Sequence, residues 1–501
     1  MTPFIVTASL QGIEAVPITV ETDVSPGLSA FTLVGLADAS IQEARERIRS
    51  AVRASGFDLP KTRITINLAP ADQRKSGSSF DLPIALSLLH EQGLIPDAFV
   101  AQSLVYGELG LDGALRPVRG TLAAALLAKS LGKTTLVIAR EQAEEASYVS
   151  DLRIIGVPSL RELVAVARGS AEAMVIHPRA QEPPVLRPLL DEVRGHVQAK
   201  RALEIAAAGG HNVLLYGPPG SGKTLLARAL MELLPPLTEA ASLESTRIHS
   251  IAGTLATPHL LQRPPFRSPH HTASLIALVG GGSPIRPGEI SLAHNGLLFL
   301  DEFPEYQRPF LEALRQPLED RVIHISRAGA SHCFPASFQL IATMNPCPCG
   351  FHGSSQGGCT CQPASIERYH KRLSGPILDR IDLFVHMDRL PSDELRAPAQ
   401  ASHMDRVQRI TQAQTLATKR WEAAGYSYTK NHLADLGALE ATLDTAASTR
   451  ELLQQAVQKH HLSGRGYTRL LRIARTIADL RQEELVTTPA ILEALTFRKK
   501  A

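Results

Sequence analysis

Long apolar runs are missing from this 501-residue chain. No segment approaches the roughly 20 consecutive apolar residues that a membrane helix needs, and Met1 to Gly12 has no cationic stretch leading into an apolar one. A soluble, cytoplasmic protein with no membrane partner is expected. An excess of one charge is missing too: 52 Lys+Arg stand against 49 Asp+Glu, so the net charge is only +3 and any attraction to nucleic acid must come from local patches. Aromatic residues make up only 5% of the chain, but 44% is hydrophobic and 20% charged, which excludes disorder or coiled coil as the dominant state. Cysteines are scarce, and four of the five (Cys347, Cys349, Cys359 and Cys361) fall in one fifteen-residue window. A disulfide framework does not suit a cytoplasmic chain of this size, so the cluster is read as a metal site.

Residues 1–168 read as a mixed α/β domain. Phe4 to Ser9, Ile13 to Thr22 and Arg63 to Leu68 have strand character, and Ile41 to Ser55, Asp81 to Gln92 and Gly120 to Leu131 have helical spacing. Four prolines within 169–190 (Pro178, Pro183, Pro184 and Pro188) mark a linker. From about Asp191 the pattern becomes helix, strand, Gly-rich turn and helix, the opening of a nucleotide-binding unit on a parallel sheet. That unit is expected to span 191–391 with a Cys-rich insertion at 346–362, followed by a helical lid over 392–501.

The strongest chemical signal is Gly217, Pro218, Pro219, Gly220, Ser221, Gly222, Lys223 and Thr224, which fits G-x-x-x-x-G-K-[ST] between the strand Asn212 to Tyr216 and a helix. Backbone N–H groups of such a loop point at phosphate oxygens, Lys223 reaches the terminal phosphates, and Thr224 offers a hydroxyl to Mg²⁺. ATP and Mg²⁺ are the expected cofactors. Leu297-Leu-Phe-Leu-Asp301-Glu302 ends a buried strand in two carboxylates, Asp301 to hold Mg²⁺ and Glu302 to polarise the attacking water. A third strand ends at Ala342-Thr-Met-Asn345-Pro346, whose amide has the length to sit between that acid pair and the γ-phosphate.

In this order, with Gly375-Pro-Ile-Leu-Asp-Arg380-Ile-Asp382 following, these strings resemble AAA+ ATPases, specifically the magnesium-chelatase-like YifB/ComM competence-protein family. The resemblance extends through Asn67-Leu-Ala-Pro-Ala-Asp72, Phe80-Asp-Leu-Pro-Ile-Ala85, Phe266-Arg-Ser-Pro-His-His271 and Ala474-Arg-Thr-Ile-Ala-Asp479. It implies a Lon-protease-like amino-terminal α/β domain, an AAA+ core and a helical lid, assembled as a homo-hexameric ring with active sites between subunits. Arg380 then resembles the arginine finger, although Ile381 replaces the aromatic residue common there. Arg465, in Ser463-Gly-Arg465, resembles the second sensor, with Arg469 a competing assignment, whereas Arg472 and Arg475 read as a solvated or DNA-facing stripe.

The Lon likeness raises the question of peptidase activity. Lys75-Ser-Gly-Ser-Ser79 can be laid on the nucleophile loop, but the partner lysine would be needed where the chain reads Thr121-Leu122-Ala123. A serine without a base is a weak nucleophile, so the domain is expected to be inactive. Zn²⁺ is expected on the four clustered cysteines, with His352 a substitute ligand and Cys333 ordinary packing. DNA contacts are expected from Arg263 and Arg267 in a Pro-rich insertion and from Arg327 in a hairpin, since the resemblance implies that such insertions line the ring pore. The function these features imply is an ATP-driven DNA motor that promotes branch migration in homologous recombination and natural transformation, with DNA and recombination proteins as expected partners. A magnesium-chelatase subunit and a Lon-like protease or chaperone regulator are the alternatives.

Overall fold

The computed structural model describes residues 3–498 except 36–38, 73–74, 76, 175, 179–184, 186, 283–284, 328–329, 354–357, 391–401 and 445. Strands Ile5–Gln11 and Glu14–Ser25 form an antiparallel hairpin with Ile5 opposite Val20, turning at Gly12, whose φ of +66° favours glycine. They nucleate a seven-stranded mixed sheet. On one side Glu14–Ser25 pairs antiparallel with Arg63–Ala69, which pairs parallel with Ala30–Val34. On the other, Ile5–Gln11 is continued in parallel by Ser103–Val105, Thr135–Ala139 and Arg153–Val157. Helices Ala39–Ala54 and Asp81–Glu91 cover the sheet with Ile41, Ile48, Val52, Leu82, Leu86 and Leu89 inward. Ala30–Val34, Ser103–Val105 and Arg153–Val157 were not expected, because three to five residues are too few to display a period.

The second sheet has five strands, in spatial order Phe266–Arg267, Leu297–Leu300, Gln339–Met344, Val213–Tyr216 and Leu383–His386. Every neighbouring pair is parallel. All residues of Leu297–Leu300 and Gln339–Met344 are buried, as expected of strands covered on both faces. The helix Val197–Gly209 packs on this sheet and on the helices beyond it, so Ile205 and Leu215 share one core with Trp421, Ile473 and Ile477.

The lid comprises His403–Ala423, Ala447–His460, Gly464–Leu480 and Thr488–Thr496. Between the first two of these lie the single 3-10 turn Asn431–Leu433 and the short helix Leu436–Glu440. The arginine stripe expected on the penultimate helix is not a surface feature. Arg475 is fully buried, donating to Asp479 Oδ1 at 3.0 Å and to the carbonyls of Glu483 and Glu484 at 2.6 and 2.8 Å. Arg472 donates to the carbonyl of Ala434 at 2.9 Å. Asp479 is itself buried and also accepts from Asn431 Nδ2 at 2.7 Å and from Arg420. Both arginines therefore fasten the lid. Removing Arg475 takes one of two cations from buried Asp479, leaving Arg420, and strands the carbonyls of Glu483 and Glu484, so Arg475→Ala should destabilise the lid by about 3 kcal/mol. Hydrogen exchange should speed up across residues 447–480, and unchanged protection there would disprove the role.

Candidate nucleotide site

The phosphate loop starts where the strand Val213–Tyr216 leaves the sheet and ends at the helix Lys223–Leu233. Gly217 lies so close to the backbone that a Cβ would sit 1.9 Å from the carbonyl oxygen of Met387. Gly222 precedes the helix at φ +83°, a left-handed position that an L side chain rarely adopts. Lys223 Nζ donates to the carbonyls of Gly217 and Pro218, both at 2.8 Å, and to Asn345 Oδ1 at 3.2 Å. Burial lowers the pKa of its ammonium, an effect opposed by the carboxylates of Asp301 and Glu302. The Ser221 hydroxyl is buried and has no protein partner, which fits a loop shaped for a polar ligand.

Three parallel strands deliver the rest of the site at their carboxyl ends. Thr224 Oγ1 donates to Asp301 Oδ2 at 3.3 Å, bringing together two oxygen ligands suited to Mg²⁺. Thr343, which sequence reasoning passed over, donates to the other Asp301 oxygen and accepts the Glu302 N–H at 3.1 Å. Its signal was available: Thr343 and Asn345 are two apart, so the strand period puts them on one face. Glu302 adopts φ 52° and ψ 49° just beyond its strand, leaving its carboxylate half-exposed over the site with His271 Nδ1 at 3.9 Å. His271 was also missed as a site residue, although the string that contains it had been singled out.

The arginines lie at the opposite end. Arg380 and Arg465 converge on Glu319, Arg380 through Nη2 and Arg465 through Nη2 at 3.1 Å. They line a cavity of about 520 Å³ with Asn212, Phe338 and Asp382, residues that precede the strands bearing the phosphate loop, Asn345 and the segment before Met387. Crossing four or five strand residues takes roughly 13–16 Å, so neither arginine reaches its own chain's phosphate loop. Arg469 donates to the carbonyl of Ile381 at 2.7 Å, whereas the Arg465 side chain is 66% exposed.

Where a Lon-type lysine would stand, the structure has a domain joint. Ala123 packs with Ile248, Ile251 and Leu292 of the ATPase unit. The Leu122 N–H donates to Glu145 Oε1 at 3.1 Å, and the same oxygen accepts from Ser250 Oγ at 2.5 Å. Burial raises the pKa of that carboxyl.

Two of the three arginines expected to contact DNA have acidic partners within the chain. Phe266–Arg267 is the edge strand of the parallel sheet rather than an insertion, and Arg267 is clamped by both oxygens of Glu289 at 2.6 and 2.7 Å. Arg263 Nη2 donates to Glu232 Oε2 at 2.6 Å, a carboxylate only 3% exposed. Both cations are already neutralised within the chain. Arg327 ends the first strand of the hairpin formed by Val322–Arg327 and Ala330–Pro335, but its side chain lies outside the described residues. Cys333, expected in packing, is exposed on the second strand of that hairpin.

The four cysteines do come together, with their sulfurs within 4.8 Å of one another. Sγ of Cys347 is 3.3 Å from that of Cys349 and 3.8 Å from that of Cys359, close to the ~3.8 Å edge of a tetrahedron with 2.3 Å zinc–sulfur bonds. His352 contributes its backbone N–H, donated to Cys347 Sγ at 3.3 Å. Hydrogen bonds from the Phe351 and Thr360 backbone lower the Cys349 pKa to about 6, whereas the neighbouring cysteines help to push Cys359 up and Cys361 up to about 11, so the cluster favours one thiolate and opposes further ones.

Among the described residues no helix is long and apolar enough to cross a membrane. Residues 20–142 match the family model "Subunit ChlI of Mg-chelatase", residues 189–395 match "Magnesium chelatase, subunit ChlI", and residues 401–498 match "Magnesium chelatase, subunit ChlI C-terminal". The chain is 41% identical over 499 residues to Competence protein ComM of Haemophilus influenzae, covering 97% of this chain and 95% of that protein. It is 41% identical over 494 residues to the uncharacterized protein Rv2897c of Mycobacterium tuberculosis, covering 98% and 97%. To the uncharacterized protein YifB of Escherichia coli it is 40% identical over 495 residues, covering 98% and 96%. With likeness running the full length of these relatives and a phosphate loop, paired acids and polar strand end at one edge of a parallel sheet, the chain belongs to the YifB/ComM competence-protein family of magnesium-chelatase-like AAA+ ATPases.

Proposed function

We propose that the protein is an ATP-hydrolysing ring motor on DNA that drives branch migration during homologous recombination and natural transformation, with the hexamer as its working form. One observation carries the ring. The phosphate loop and acids lie at one end of the sheet and the Arg380–Arg465 pair at the other, so a complete site forms only when two chains meet head to tail. On this reading Lys223 and Asn345 hold the terminal phosphate, and Thr224 and Asp301 hold Mg²⁺, which offsets phosphate charge when bound. Glu302 orients the attacking water. Arg380 enters from the neighbouring chain as the finger that stabilises transition-state charge, and the more exposed Arg465 serves as second sensor. The DNA half rests on kinship with a protein named for competence and on the hairpin Val322–Arg327 and Ala330–Pro335, read as a pore-lining insertion.

The deciding test is ATP-dependent conversion of a synthetic Holliday junction to separated duplexes. Junction conversion together with ATPase stimulation by DNA supports the motor. Stimulation by porphyrin alone would favour a chelatase subunit, and casein cleavage a protease, against which the domain joint at Ala123 already stands.

The same reading places Zn²⁺ on Cys347, Cys349, Cys359 and Cys361. Zinc should co-purify at about one ion per chain and be released by Cys347→Ser. Elemental analysis finding none in protein prepared without chelator would reject this site.

A further inference from the structure

The cysteine cluster does more than close a loop, because it touches the nucleotide site at three points. Cys347 follows Asn345 by two residues, and the Asn345 amide accepts from Lys223. Gly350, between the two cysteine pairs at φ +86°, lies so near the phosphate loop that a Cβ would come within 2.7 Å of Pro219 Cδ. Phe351 carries the Arg389 guanidinium 5.7 Å from its ring centroid, and Arg389 Nε donates to the Pro219 carbonyl at 3.1 Å. Pro219 is thus held from two directions by the segment that the cysteines tie together.

We propose that a metal ion bound by these four cysteines braces the phosphate loop, so that metal occupancy sets ATP affinity. This rests on reading the cluster as a zinc site. The physical argument is one of preorganisation. Without an ion, the four cysteines lose the shared ligand that ties Cys347 and Cys349 to Cys359 and Cys361. The turn carrying Gly350 and Phe351 is then left to the Arg389 contact to steady it against Pro219, and part of the ordering of the loop falls on ATP binding. Coupling of this kind is reciprocal: whatever factor zinc adds to ATP affinity, ATP adds to zinc affinity.

The full chain, purified with its zinc and then stripped with a zinc-selective chelator that is removed before assay, should bind a fluorescent ATP analogue with Mg²⁺ about tenfold more weakly, and zinc addition should restore binding. Competition with a chromogenic chelator should show zinc held more tightly by the same factor when the analogue is saturating. Gly350→Ala keeps all four thiols, so it should retain zinc yet lose ATP affinity, because its methyl group meets Pro219. Phe351→Ala should do the same to a smaller extent. Equal affinity in stripped and loaded protein, with unchanged circular dichroism, would overturn the brace while leaving the zinc site standing. Absence of zinc from the purified protein would overturn both.

Discussion

Glu302→Gln should bind ATP as tightly as the parent protein and hydrolyse it about 10²–10⁴-fold more slowly, the range removed when a positioned general base is lost. The substitution keeps the shape and one acceptor oxygen but takes away the charge that polarises water. It leaves Asp301, Thr224 and Lys223 untouched, the residues proposed to hold the phosphates and the metal. Lys223→Ala should behave in the opposite way and fail to bind at all, because its ammonium is the charge set at the mouth of the loop by three acceptor contacts. Nucleotide retention on gel filtration separates the two variants, and normal turnover by Glu302→Gln would reject the assignment of the strand-end acids.

Arg380→Ala should likewise keep ATP while losing about 10³-fold or more in hydrolysis, since a finger acts on charge that develops only in the transition state. In the single chain its side chain is only 14% exposed and is held by Glu319 and by the carbonyl of Pro376, so it must leave Glu319 to enter a neighbour's site. If the contribution comes from a neighbour, as proposed, two inactive variants should repair each other. Rings mixed from Arg380→Ala and Lys223→Ala chains contain interfaces with an intact lysine on one side and an intact arginine on the other, and these should hydrolyse ATP. No recovery in verified mixed rings would reject action between subunits.

What the sequence showed of this site follows a physical rule. Phosphate binding needs contiguous backbone, so residues 217–224 had to appear as one string, and a buried strand ending in acids is nearly as local. Thr343 was overlooked because its role is defined by Asp301, 42 residues away. The partners of the arginines were harder to read. Arginines look solvated until their carboxylates are located, and those lie far along the chain: Glu232 is 31 residues from Arg263, and Glu289 is 22 from Arg267. Arg475 is the instructive case, because Asp479 stands four residues on along the same helix, a pairing that helical spacing alone would have suggested. In the fold, the strands that escaped notice were the short ones, whose identity comes from the sheet they join rather than from any pattern of their own.

The separation of phosphate loop and arginine cavity to opposite ends of one sheet also governs how activity should depend on concentration. A contact between unlike ends cannot close on itself in a two-fold dimer and must propagate in one direction. An open arc of subunits then always has one loop without an arginine and one cavity without a nucleotide, whereas a closed ring has neither. Turnover per chain should therefore climb steeply as protein is added and level off once rings close. A single chain in dilute solution would bind its nucleotide and hold it unspent.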